Sequence, residues 1–491
     1  MVQWDEPRHR TPILPRRLSY IGAFVGVAVA ICAGSARAAS LDGFYGVNVQ
    51  QVFSGSPASW QPQLSAMASG GLQLARIDAR WSNVEPNPPS ASGQHTYNWS
   101  MYDGIVQALA QRGLRWYPIV GYNTGWSGLA RGDNSEVAPA HVGDFANYAW
   151  ALARRYGRGG SFWSSHPSLQ QLPVTSYEIW NEENSAAFMQ QQDTAPEAYA
   201  DLYMAARSAI RSVDPQADVV VGGLALGGPG VIDEVQFLQR MYAHRPDLRG
   251  NVDGVGLHPY QASLADTYTR LAKFRQALDQ VAGPSVPIEI TEVGWATTSV
   301  PEPDRALDLS LLAEQLPHSD CNVDRLIPYT WLTQESNPSD PESWFGIWNH
   351  DGSGKPSGIA YLNAVKLMRG LTSTPAPTKP LQICHPGTSA DAAGARGPKL
   401  RMRVLSVRRG HWVRLAVSCQ PACLLRVDLY GRSRKGARRL STRAADLRSH
   451  RKVLRLRIRR AGSLKRRGAV HAIAVARTGG VTRRARSVRI R

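Results

Sequence analysis

Between residues 40 and 371, apolar runs of five to seven residues alternate with longer stretches in which apolar positions recur every three or four residues. This is the pattern of repeated strand-helix units around a parallel sheet. Eight runs predict strands: Gly43–Val49, Leu72–Asp78, Leu114–Val120, Ser176–Trp180, Asp218–Gly222, Gly254–His258, Pro287–Thr291 and Leu326–Trp331. The amphipathic stretches Tyr102–Arg112, Val142–Tyr156, Pro196–Val213, Val231–Tyr242 and Leu264–Val281 predict intervening helices, with stop signals at Arg112-Gly113 and Gly283-Pro284. Eight strands and their helices fit a (β/α)8 TIM barrel, a fold of about 250 residues that tolerates insertions.

The pattern changes at both ends. Residues 372–398, with Pro375, Pro377, Pro380 and Pro386 among Ser, Thr, Ala and Gly, read as a linker. From residue 399 to 491 apolar and basic residues alternate with period two, as in Leu400-Arg-Met-Arg-Val404 and Leu454-Arg-Leu-Arg-Ile458. That predicts a small antiparallel β-sandwich with one buried face and one Arg-rich face. At the start, Arg8, Arg10, Arg16 and Arg17 precede an apolar stretch from Leu18 to Gly34 and then Ala36-Arg-Ala38. This is the order of a signal peptide over residues 1–39, which makes the mature protein secreted or envelope-associated. An uncleaved anchor is the alternative, although the run is short for a bilayer. No later segment is long and apolar enough to span one.

Charge sharpens the division. The net +19 combines +28 in residues 396–491, where thirty Lys and Arg face only Asp428 and Asp446, with −9 in the preceding 395 residues. A basic face suits an anionic partner. Nucleic acid is an unlikely one, because Trp412 and Tyr430 are the only aromatic residues in that segment, too few for base stacking. An anionic cell-envelope polymer is the expected partner, and a merely solvated Arg face is the alternative.

Once the leader is removed, Cys321, Cys384, Cys419 and Cys423 remain. An even number in an exported chain suggests disulfides, most simply Cys321 with Cys384 and Cys419 with Cys423, with the other two pairings open. Their spacing is not that of a zinc site, and neither metal nor cofactor is expected.

Two glutamates close the fourth and seventh predicted strands: Glu182 in Trp180-Asn181-Glu182 and Glu292 in Thr291-Glu292-Val-Gly-Trp295. In a TIM barrel such positions converge at the C-terminal mouth. Cleavage of a glycosidic bond needs one carboxyl to give a proton and another to attack or to activate water. Glu178 and Glu289, a few residues earlier, are expected to hydrogen-bond inside the barrel. The aromatic residues Trp126, Trp344 and Trp348 suit either sugar subsites or loop packing.

An Asn-Glu pair after the fourth strand and a second Glu after the seventh resemble the clan A glycoside hydrolases, families 5 and 39, over roughly residues 41–371. The resemblance implies that Glu182 is the acid/base, Glu292 the nucleophile, and Asn181 the partner of a sugar 2-hydroxyl. It implies that Arg76, five residues before Trp81, holds the nucleophile, that His258 and Tyr260 in Gly256-Leu-His-Pro-Tyr260 stand beside it, and that Trp331 floors the sugar. Gly346, Asp351-Gly352 and Lys355-Pro356 resemble the family's loop into the last helix. Where the family commonly has Pro after the acid/base, this chain has Glu183, a second candidate proton donor. The implied activity is retaining hydrolysis of a β-linked poly- or oligosaccharide. A transglycosylase using the same residues and a non-catalytic glycan-binding or cell-envelope protein on the same scaffold are the alternatives.

Overall fold

The computed structural model describes residues 41–128, 136–372 and 381–385, and beyond them eight strands between residues 399 and 490. Eight parallel strands form the first sheet: β1 (Gly46–Asn48), β2 (Leu74–Arg80), β3 (Arg115–Gly121), β4 (Ser176–Ile179), β5 (Asp218–Ala225), β6 (Gly254–His258), β7 (Ile288–Ile290) and β8 (Val323–Leu326). They pair in sequence order, and a parallel bridge from Tyr45 to Leu326 closes the ring. The fold is the TIM barrel expected from the pattern.

Among the described residues ten α-helices accompany the strands: α1 (Pro57–Ser69), α2 (Trp81–Val84), α3 (Ser100–Ala110), α4 (Val142–Tyr156), α5 (Ser161–Ser165), α6 (Ala195–Val213), α7 (Glu234–His244), α8 (Leu264–Val281), α9 (Glu302–Gln315) and α10 (Pro356–Met368). The longer ones bury one stripe each. In α4 the stripe is Phe145, Tyr148, Leu152 and Tyr156, and in α6 it is Tyr199, Tyr203, Ala206 and Ile210, spaced three or four apart. Asp233 caps α7 by accepting the amides of Val235 and Gln236, and Gly113 and Gly283 take left-handed conformations just past α3 and α8. The pattern did not single out α1, which contains Pro62, or α9 and α10.

The eighth strand differs from expectation. The apolar run Leu326–Trp331 starts where β8 ends. Asp324 and Arg325 make the true strand look polar, but Arg325 is mostly buried and bonds Glu289 and the Ser176 hydroxyl. Pro328 has no N–H to continue a ladder. The run crosses the mouth instead, through Ile327 N to Ile290 O (2.8 Å), Tyr329 N to Val293 O (2.9 Å) and Trp331 N to Asn48 O (2.9 Å).

Inside the barrel the polar residues are paired with one another. In the lower part Glu289 meets Arg325 and accepts the Tyr117 hydroxyl at 2.5 Å, and burial pushes its carboxyl up to about 7 despite Arg325. Above it, Glu178 takes Arg76 Nε at 2.6 Å and Nη2 at 3.0 Å. Removing one member of such a buried pair costs roughly 3–5 kcal/mol.

After α10 the chain returns to the barrel. Cys321 and Cys384 form a disulfide, and the Asp320 carboxylate accepts the amides of Ile383, Cys384 and His385 at 2.7–2.9 Å. The partner proposed for Cys419, Cys423, lies outside the described residues, as do the leader and most of the Pro-rich stretch.

Two antiparallel sheets follow, as the period-two pattern predicts. The strands are β9 (Lys399–Arg408), β10 (Trp412–Gln420), β11 (Leu424–Ser433), β12 (Gly436–Asp446), β13 (Arg451–Arg457), β14 (Val470–Thr478), β15 (Val481–Arg484) and β16 (Val488–Ile490). One sheet runs β13-β10-β9; the other runs β12-β11-β14-β15, with β16 also on β14. Val413, Leu415, Val417, Leu454 and Leu456 are buried, while Arg414 and Arg455 between them are exposed. Among the described residues no helix is long and apolar enough to cross a membrane.

Candidate active site

The turn after β4 sets the position of Glu182. Trp180 and Glu182 both take left-handed backbone, at φ 68° and 48°. For residues with a side chain this costs on the order of 1–3 kcal/mol each and persists only where the surroundings enforce it. They do so here. Trp180 N bonds Val120 O at 2.9 Å, the Trp180 indole bonds Phe188 O at 2.8 Å, and Glu182 N bonds Gly223 O at 3.0 Å. Asn184 then ties the turn to β5, donating to Ala225 O and accepting the amide of Ala225, both at 2.9 Å.

Two glycines make room for the site. β5 carries an extra residue against β6 between Val221 and Leu224, where Gly222 and Gly223 stand. A Cβ on Gly223 would lie 1.9 Å from His258 Nε2, and one on Gly222 would lie 2.3 Å from Glu183 Oε2. The sequence signal was the Gly-Gly pair inside an apolar strand, which marks a bulge or a close approach.

Glu292 follows β7 and has both oxygens engaged. Oε1 accepts from Arg76 Nη1 and Oε2 from the Tyr260 hydroxyl, each at 2.7 Å. Burial alone would raise its carboxyl, but the His258 ring, Arg76 and the Tyr260 hydroxyl together hold it below the usual carboxylate range. Burial works against the charge on Arg76, yet Glu178 and Glu292 outweigh it and keep the guanidinium protonated. Arg76 Nη1 also reaches Asn48 Oδ1 at 2.9 Å, and Nη2 reaches Asn181 Oδ1 at 2.8 Å. With its oxygen taken, Asn181 offers its NH2 group as donor.

The hydrogen-bond partners of His258 fix its relation to Glu182. The Thr291 hydroxyl donates to Glu178 Oε1 at 2.9 Å, so toward His258 Nε2, 3.1 Å away, it can only accept. Nε2 therefore carries a hydrogen. Nδ1 lies 2.8 Å from Glu182 Oε1, a spacing that requires one proton shared between carboxyl and ring. The same Nδ1 is 3.7 Å from Glu292 Oε2. One ligating atom each from Glu182, His258 and Glu292 lies within 4.8 Å of the other two. Metal ligands have similar spacing, but a cation there would compete with a guanidinium 2.7 Å from Glu292.

The arrangement thus brings Glu182, Glu292, Arg76, Asn181, His258 and Tyr260 together. Trp331 is a correction. It is 0% exposed, its indole donates to Gln63 Oε1 at 2.8 Å, and it stacks on Trp348, so no sugar reaches it. Because β8 ends early, Tyr329 is the aromatic that faces the site, with its ring 6.3 Å from Tyr260 and 5.5 Å from Phe345. Sequence reasoning missed Tyr329 and Phe345, which are not separated from other loop aromatics by any periodic signal. Trp126 packs edge-on against Trp81 and donates to Glu85 O, while Trp344 donates to Asn337 O.

Glu183 lies against β5, with its Oε2 at the place a Cβ on Gly222 would crowd. It is fully buried, and burial raises its carboxyl well above the usual range. The nearby Tyr199 hydroxyl is committed to Ile179 O at 2.7 Å and the Gly222 amide at 2.8 Å. Asp78, two residues beyond Arg76 on β2 and bonded to Arg80, is a further carboxylate near the mouth that the sequence did not single out.

No protein-family model matches the chain, and no curated protein matches it in sequence. Solved structures do resemble it. A family 39 glycoside hydrolase from the gut symbiont Bacteroides cellulosilyticus WH2 superposes with a TM-score of 0.51 at 16% identity, over 85% of this chain and 81% of that one. A family 39 β-xylosidase from Caulobacter crescentus gives 0.49 at 18% identity, over 80% and 84%. An endo-β-1,4-mannanase from Thermotoga petrophila gives 0.44 at 14% identity, over 91% and 98%. The first of these likenesses shows that the chain shares the fold of that family 39 glycoside hydrolase.

Proposed function

We propose that this chain is a retaining glycoside hydrolase that cleaves a β-linked glycan by double displacement, with Glu292 as nucleophile and Glu182 as acid/base. The observation that carries the reading is the closeness of the two carboxylates, whose nearest oxygens lie within 4.8 Å. Retaining enzymes keep their carboxyl groups about 5–5.5 Å apart, whereas inverting enzymes leave about 6.5–9.5 Å for a water between them.

In the first step Glu182 gives its proton to the glycosidic oxygen while Glu292 attacks the anomeric carbon. The bond to the leaving group breaks and a glycosyl ester forms on Glu292. In the second step Glu182 takes a proton from water, the water attacks the anomeric carbon, and Glu292 leaves as carboxylate. Arg76 and Tyr260 keep Glu292 ionised and fix its direction. The proton on Glu182 passes to the substrate and is regained from water, with His258 Nδ1 orienting the carboxyl throughout. The Asn181 NH2 group is suited to a sugar hydroxyl, and Tyr329 and Phe345 to the apolar face of the ring. The leader-like first residues make action outside the cytoplasmic membrane part of the proposal.

A panel of 2-deoxy-2-fluoro xylosides, glucosides and mannosides with activated leaving groups tests it. The expected result is stoichiometric labelling, with the sugar mapped by mass spectrometry to the peptide containing Glu292. A label on another residue, or steady inversion of the anomeric centre with a natural substrate, would overturn the mechanism.

A further inference from the structure

The strands β9, β10 and β13 contain nine Lys and Arg and no Asp or Glu. The only two acids in residues 396–491, Asp428 and Asp446, are in β11 and β12 of the other sheet. The strands of the three-stranded sheet therefore contribute positive charge alone.

Its register concentrates the charge. Arg414 on β10 is directly opposite Arg455 on β13, and Arg403 and Arg401 on β9 pair with Ala416 and Ser418 further along β10. Arg401, Arg403, Arg414 and Arg455 are all exposed. Directly opposed like charges destabilise an antiparallel pair. Strands stand about 4.8 Å apart and same-face residues about 6.8 Å apart along a strand, so the guanidinium groups are closely spaced in two directions. Such a face is stabilised when a polymer with regularly spaced anionic groups lies across it, releasing that polymer's counterions.

The same face is poorly suited to nucleic acid. Trp412 is the aromatic among its described side chains, and Arg455 lies 4.3 Å over its ring centre. The ring face needed for base stacking is occupied by the protein's own guanidinium.

We propose that the exposed face of the β9–β10–β13 sheet binds a linear anionic polysaccharide, holding its carboxylate-bearing sugars against Arg401, Arg403, Arg414 and Arg455. This goes beyond the reading of Glu182 and Glu292 and does not depend on it. A polyanion binder remains one even if the barrel cleaves nothing.

The test uses the full chain and polygalacturonate, with fully methyl-esterified polygalacturonate as the uncharged control and oligodeoxythymidylate as the nucleic-acid probe. Arg414→Gln/Arg455→Gln is compared with Arg154→Gln/Arg249→Gln, which removes equal charge from the barrel, and thermal unfolding verifies that each variant folds. Polygalacturonate binding should weaken with salt and drop about tenfold in the sheet variant but less than about twofold in the barrel variant. Equal losses in both variants, equal binding of the methyl ester, or tighter binding of the oligonucleotide would each overturn the proposal.

Discussion

Arg76 meets Glu292 through a single contact, Nη1 to Oε1 at 2.7 Å, while its Nε and Nη2 are held by Glu178 and the two Nη groups also donate to Asn48 and Asn181. The group that directs the proposed nucleophile is itself anchored one layer down, inside the barrel. Arg76→Lys keeps the charge but cannot serve Glu178, Asn181 and Glu292 at once. Loss of one charge-assisted hydrogen bond of about 1.5–3 kcal/mol should lower kcat/KM about 10- to 150-fold.

The same pair predicts a pH dependence. Glu292 is held below the usual carboxylate range, so activity should persist as pH falls past the ordinary carboxyl value and fail only at the lowered one. Its contribution to stability has the same sign: present above the unfolded-state value, lost as pH falls through the folded one. Arg76→Gln should move the acidic limb of kcat/KM upward, and an unmoved limb would show that Arg76 does not tune Glu292.

Glu183 gives a sharper discrimination. Because burial raises its carboxyl well above the usual range, Glu183→Gln, which keeps the shape of the uncharged group, should leave the pH profile in place and change the rate less than about threefold, as expected where no proton is transferred. Glu182→Gln should cost about 10²- to 10⁴-fold with a poor leaving group and much less with dinitrophenolate, which leaves without a proton. The reverse outcome would make Glu183 the donor.

Gly223→Ala would put a methyl group 1.9 Å from His258 Nε2. The ring must then move, and we expect a stability loss of about 1–3 kcal/mol with an activity loss of about 100-fold. Thermal unfolding and steady-state kinetics check the two parts separately.

The disulfide between Cys321 and Cys384 closes a 63-residue separation. Replacing both with Ser should lower unfolding stability by roughly 2–4 kcal/mol. Asp320→Asn should loosen residues 383–385 selectively, seen as faster amide exchange there, because the acceptor shared by three amides loses its charge.

How far the sequence disclosed the molecule follows from where side chains and backbone obey a period. Buried on both sides, Val219–Val221 and Val255–Leu257 read directly as strands. The amphipathic stripe of α8 gave both its ends as predicted, Leu264 and Val281. The eighth strand was misplaced because an inward arginine, Arg325, carries its charge to Glu289 inside the barrel, which no hydrophobic pattern reports. That shift also explains the aromatic floor: a strand ending at Leu326 presents Tyr329 to the mouth and sends Trp331 to Gln63. The motif residues around Glu182 and Glu292 stood out as types, but the shared proton with His258 depends on Thr291 and Glu178, a network visible only in three dimensions.

The left-handed backbone at Glu182 sets stability against chemistry. Asn tolerates that conformation better than Glu, so Glu182→Asn should relieve local strain while abolishing proton transfer. Selection for heat resistance alone would favour the inert variant. A glutamate held at φ 48° thus gives up local stability for the reactivity proposed for it.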